Sequence, residues 1–192
     1  NYRLGALGFL AHPALPQPNL GLLDQVAALR WVRDHAAEVG GGPAQVMLFG
    51  ESAGAAAVSL LLTAPAARGL IHRAAIQSGA ALTTTPDGAA ALAEEVAAAA
   101  GVPAVADLAS LSVAALLDAQ TAVEARHGGM PFVPVLDGDV IPGDPIDALR
   151  RGAASSVPTV VGTNLDEWRL LAMGDTRRAE LTFERVAGRI AR

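Results

Sequence analysis

Cysteine and lysine are both missing from this 192-residue chain, and the two absences remove large parts of protein chemistry. Without cysteine there is no thiolate nucleophile, no disulfide and no Cys-ligated zinc or iron–sulfur site. All 14 residues in the Lys+Arg count are arginine, so a Schiff-base lysine and a phosphate-loop lysine are excluded as well. Long hydrophobic runs are also lacking. Arg, Asp, Glu, Gln or Pro interrupts every apolar stretch well short of the roughly 20 residues that a membrane span needs. The net charge of −5 is spread along the chain with no basic cluster to neutralise a row of phosphates, which argues against a nucleic-acid partner. What remains is hydroxyl, carboxylate and imidazole chemistry.

What is present is ample apolar material. A hydrophobic content of 52% in 192 residues is enough for the core of one domain. The first residues, from Asn1, read as the end of a strand, with no methionine and no leader of the signal-peptide kind. Residues 180–190, "ELTFERVAGRI", form an amphipathic pattern that stops without a cap or breaker. Together the two ends lead us to expect a piece of a longer chain, with compartment and oligomeric state unread. A lysine-free, alanine- and arginine-rich composition leans toward a GC-rich bacterial source.

Periodicity supplies the organisation. Leu22, Val26, Leu29, Val32, Ala36 and Val39 recur at intervals of three and four, an amphipathic helix of about five turns that ends at Gly40–Pro43. Val46–Phe49 is a short apolar run without alternation, as expected of a strand covered on both faces. Ala53–Leu62 has helical length and composition, and residues 73–79, "RAAIQSG", read as another buried strand. Helix, strand, helix and strand at this spacing imply parallel pairing with crossover connections. Residues 86–126 are alanine-rich and helical, at Ala89–Ala100 and Val113–Val123, with turn signals at Pro86, Gly101 and Pro103. A proline- and glycine-marked connection follows, then a short helix at Asp147–Arg151. Residues 157–164, "VPTVVGTN", form a last β-branched strand.

At the junction of the first strand and the helix after it stands Gly50-Glu51-Ser52-Ala53-Gly54. This is G-x-S-x-G, in which a strand turns sharply into a helix and leaves the serine hydroxyl exposed. The flanking glycines are expected because strand and helix backbones come too close there for a Cβ, and the serine is expected to sit in strained dihedrals. The helix beginning at Ala53 points free N–H groups at the site, the N–H of Ala53 first among them, where a developing oxyanion would form. The bland reading of the same residues is a small-residue turn that packs a helix on a sheet.

The blocks around the motif carry a wider resemblance. "NYRLGALGFL" (1–10), "NLGLLDQVAALRWVRDH" (19–35), "VMLFGESAGAAAVSLLL" (46–62), "HRAAIQSG" (72–79), "FVPVLDGDVIP" (132–142) and "VGTNLDEW" (161–168) resemble, in order, the blocks of type-B carboxylesterases, the cholinesterase-like branch of the α/β-hydrolases. The resemblance implies one incomplete α/β-hydrolase domain over 1–192. Its mostly parallel core is expected at 1–80 and 130–170, with a helical insertion at about 86–126. By that resemblance Ser52 matches the nucleophile and Glu167 the triad acid, with Asp166 the neighbouring rival. Glu51 and Ser78 match supporting residues beside the triad. No cofactor or metal is implied, and the partners are small carboxylic esters.

Two parts of that machinery have no counterpart here. A general base should follow the acid in the order Ser, Asp or Glu, His, yet His12, His35, His72 and His127 all precede Glu167. The glycine-rich oxyanion loop of the resembled family lies upstream of the block that starts this chain. The 192 residues are therefore expected to be nearly inactive alone. A non-catalytic binding module of the same fold, or a truncated inactive product, stands as the alternative.

Overall fold

The computed structural model describes residues 1–127, 129–167 and 182. The amphipathic pattern at 180–190 otherwise lies outside them. Contacts divide the chain into two compact units, Asn1–Val161 and Gly162–Arg192. The elements in order are α1 (Gly5–Phe9), α2 (Leu20–His35), β1 (Met47–Glu51), α3 (Ala53–Leu61), β2 (Arg73–Gln77), α4 (Pro86–Ala100), α5 (Val113–His127), α6 (Pro145–Arg150) and β3 (Thr159–Gly162).

The three strands form one sheet in the order β1-β2-β3, with β1 and β2 parallel and Glu51 opposite Gln77 in register. Two consecutive strands that run parallel need a crossover, and α3 provides it. Leu60 and Leu61 of α3, Leu22 and Val26 of α2, and Ile76 of β2 share one buried cluster with Ile141. A second cluster joins α4 and α5 through Leu92, Val96, Ala119 and Val123, with Phe132 packed against them. The ends of α4 follow from local chemistry. Thr85 Oγ1 accepts from Gly88 N at 3.1 Å, Pro86 occupies the first turn, and Gly101 at φ 69° closes the far end.

The structure corrects two expectations. Residues 1–4 are not in a strand, and Gly5–Phe9 is a short helix, because the chain turns at Gly5 (φ 55°) and folds back so that Gly8 lies against the carbonyl of Arg3. β1 is covered on one face only: Leu48 packs toward the core, while Met47 and Phe49 are 52% and 70% exposed. An apolar run without alternation predicts two covered faces, but among the described residues α3 fills only one. The β-branched strand expected at 157–164 is β3, exposed along its length.

A buried polar staple joins the segment before α2 to the chain around Val135. Asn19, in the left-handed region at φ 56°, donates from Nδ2 to Val135 O and to Asp137 Oδ2, and its Oδ1 accepts from Val135 N, each at 2.9 Å. Thr84 is bonded to the same segment, donating to Pro134 O at 2.9 Å and accepting from Leu136 N at 3.0 Å. The chain leaving β2 is thus tied to the start of α2.

Arg3 is tied to α2 by charge. Its Nε and Nη2 donate to the two oxygens of Asp24 at 2.8 and 2.6 Å, and its backbone N–H donates at 2.9 Å. These bonds, the side-chain ones foremost, lower the Asp24 carboxyl from its ordinary 3.8 to about 2. A folded value below the unfolded one adds stability that is complete above about pH 4 and is lost as pH falls to about 2. We expect Asp24→Asn to lower the thermal midpoint at pH 7 and to match the wild type near pH 2. A gap that stays constant through acid would refute the ion pair as its source.

Candidate active site

The strand-to-helix turn at Ser52 is built as tightly as its glycines implied, but not by both of them. Ser52 sits at φ 52°, ψ −118°, a region that non-glycine residues occupy at a cost of about 1–3 kcal/mol. Both sides of the residue are pinned. Its N–H donates to Gln77 O at 3.0 Å, and its carbonyl accepts from Ala56 N at 3.0 Å. A Cβ on Gly50 would overlap the backbone of Gly54 and lie 2.8 Å from Ala55 N. A Cβ on Gly54 would meet none of the described residues within 4 Å, so among them the steric reason expected for both flanking glycines holds for Gly50 alone.

The residue that takes the second steric role is Gly79. A Cβ there would run into the Ser52 carbonyl and lie 2.8 Å from the Ala55 Cβ. Nothing local in "IQSG" announces this, because the contact is between the end of β2 and the elbow, 27 positions apart in sequence. Ser78 beside it also has positive φ, at 53°. The edge where β1 and β2 end therefore gathers Gly50, Glu51, Ser52, Ala53, Gly54 and Ser78 within two adjacent turns.

The Ser52 side chain is exposed and makes no capping bond to α3. Its hydroxyl bonds none of the described residues, so it is available for chemistry. Ala53 opens α3, and the first N–H groups of a helix have no partner inside it. Ala53 also lies in the wall of a cavity of about 340 Å³ lined chiefly by apolar groups, among them Ala57 and Leu60 of α3, Leu22 of α2, and Phe132.

Glu167 belongs to the second unit. There its Oε1 accepts from Asn164 N at 2.6 Å across a turn that also holds Asp166. The four histidines are engaged elsewhere. His12 Nδ1 accepts from Ala14 N at 3.0 Å, and His72 Nδ1 lies 3.4 Å from Val46 N. His35 stacks on Trp31 with ring centroids 4.5 Å apart, and His127 Nε2 is 3.0 Å from Glu95 Oε2. None of them bonds Ser52. Among the described residues no group of three or more His, Asp or Glu is placed to hold a metal, and no helix is long and apolar enough to cross a membrane.

Proteins similar to this chain include several esterases. The chain is 38% identical over 185 residues to the para-nitrobenzyl esterase of Bacillus subtilis (strain 168), covering 92% of this chain and 38% of that protein. It is 38% identical over 183 residues to the fumonisin B1 esterase of Sphingopyxis macrogoltabida, covering 88% of this chain and 33% of that one. Among solved structures it superposes on the Geobacillus stearothermophilus carboxylesterase Est55 with a TM-score of 0.87 and 39% identity, over 99% of this chain and 42% of that chain. It thus spans well under half the length of the relatives it matches. The architecture is part of an α/β-hydrolase fold, with parallel strands flanked by helices. The profile of the carboxylesterase family matches residues 1–186, and with the elbow geometry and these likenesses in hand, the chain belongs to that family.

Proposed function

We propose that the whole protein is a serine hydrolase of carboxylic esters, working through an acyl-enzyme with Ser52 as nucleophile. The observation that carries this is the strained Ser52, held at φ 52° with its hydroxyl free of any cap bond, at the N-terminus of a nine-residue helix. Holding a serine there has a cost that a packing turn made of glycine would avoid.

In this reading Ser52 Oγ attacks the ester carbonyl while a base removes its proton. The oxyanion is received by the Ala53 N–H at the positive end of α3, and the alcohol leaves with the proton. Water then attacks the acyl-serine by the same route and releases the acid. Glu167 orients the base, a histidine of the whole protein, and holds its charged form. Glu51 and Ser78 support the site from the same sheet edge, and Gly50 lets the elbow close. The cavity beside Ala53 takes an apolar part of the ester. The chemistry calls on no cofactor.

A fluorophosphonate probe tests this, because it reacts with an activated serine and hardly at all with an unactivated one. The whole protein should be labelled at Ser52. The 192-residue chain, with no histidine after Glu167, should be labelled about 10³-fold or more slowly. Failure of the whole protein to label would sink the reading and favour a binding role for the fold.

A further inference from the structure

We infer that the cavity beside Ala53 selects esters with an apolar body and a cationic end over their anionic counterparts, and that Glu124 is the selecting residue. This deepens the esterase reading and rests on it. Of the described residues that line the cavity, Glu124 alone is charged. A single carboxylate in a largely apolar wall repels a negative ligand and attracts a positive one more strongly than it would in open water.

The carboxylate is held in place by built contacts. Gln120 Nε2 donates to Glu124 Oε1 at 2.9 Å, one turn apart on α5. The Gln120 amide is itself fixed from its other end, where Oε1 accepts from Ala6 N at 2.8 Å. Gly5 makes room for it, since a Cβ at that position would run into the Gln120 amide. Glu124 has no cationic partner among the described residues, whose ion pairs use Arg3, Arg33, Arg150 and His127 instead. The same cavity is lined by Gln25, whose Nε2 is buried without a hydrogen-bond partner among the described residues. A buried donor left unpaired is costly, and an ester or ether oxygen of a ligand would satisfy it. An uncompensated carboxylate and an unfilled donor in one apolar cavity describe a ligand with a cationic group, an acceptor oxygen and a hydrocarbon body.

Equilibrium binding to the whole protein carrying Ser52→Ala separates this from catalysis. The probes are n-hexylammonium, hexan-1-ol and hexanoate. We expect the ammonium to bind about fivefold more tightly than the alcohol, consistent with a half-exposed ion pair, and hexanoate to bind most weakly. Adding Glu124→Gln, which has the same shape and can still accept from Gln120, should bring ammonium and alcohol to within about twofold. Adding Glu95→Gln, which removes a carboxylate on α4 outside the cavity, should leave the preference intact. Equal binding of ammonium and alcohol, retention of the preference in Glu124→Gln, or no binding of any probe would overturn the inference. Ammonium preference with no ester hydrolysis by the protein bearing Ser52 would sustain the binding site and reject the esterase reading.

Discussion

Ser52→Ala in the whole protein is expected to lower kcat for a simple p-nitrophenyl ester by at least about 10⁴-fold, with the fold unchanged. The substitution removes the attacking oxygen and nothing that holds the elbow, because the contacts that pin residue 52 are made by its backbone N–H and carbonyl. Circular dichroism and the thermal midpoint should therefore match the wild type, since alanine keeps the Cβ and with it the same backbone strain. Glu167→Gln should cost about 10³- to 10⁴-fold in kcat, since an amide neither holds an imidazole in its reactive tautomer nor stabilises its cation. Asp166→Asn should cost less than about tenfold. The reverse pattern between residues 166 and 167 would transfer the acid role to Asp166. Retention of activity by Ser52→Ala would remove the nucleophile assignment altogether.

Gly50→Ala should destabilise the chain by about 2–4 kcal/mol, whereas Gly54→Ala should shift it by no more than about 1 kcal/mol in either direction. The two positions are equivalent in the motif and opposite in the structure. A methyl on Gly50 would press on the backbone of Gly54 and Ala55, and backbone in the first turn of α3 cannot yield without moving the helix off the sheet. A methyl on Gly54 meets none of the described residues, and alanine is the better helix former by about 1 kcal/mol. Urea unfolding of the two variants reads the difference directly. Equal losses at the two positions would mean that the elbow relaxes as a unit, and that the close approach at Gly50 is not what holds it.

The sequence by itself determined the local elements and their kind. The three- and four-residue spacing from Leu22 to Val39 is a helix whatever surrounds it, and the structure has α2 followed by a short 3-10 turn to the same point. The helical patterns at 89–100 and 113–123 fall within α4 and α5 for the same reason, as apolar periodicity and caps act within a few residues. The candidate nucleophile was legible because a glycine-flanked serine between an apolar run and a helix is a local signal. What local signals cannot carry is which faces find a neighbour. Met47 and Phe49 look as buried as Leu48 in sequence, and only the packing of α3 on one side of β1 tells them apart.

Only the tertiary structure decided which glycines are required. Gly79 is set against the elbow by the parallel register of β1 and β2, and Gly54 is left open by the path of α3. It likewise decided that Asn19 and Asp137, 118 positions apart, share a hydrogen bond, and that Glu124 lines the cavity that Ala53 borders. The physical reason is common to all of them. Periodicity and capping are properties of a few consecutive residues, whereas close approach, burial and an uncompensated charge belong to pairs of segments that the chain brings together only when it folds.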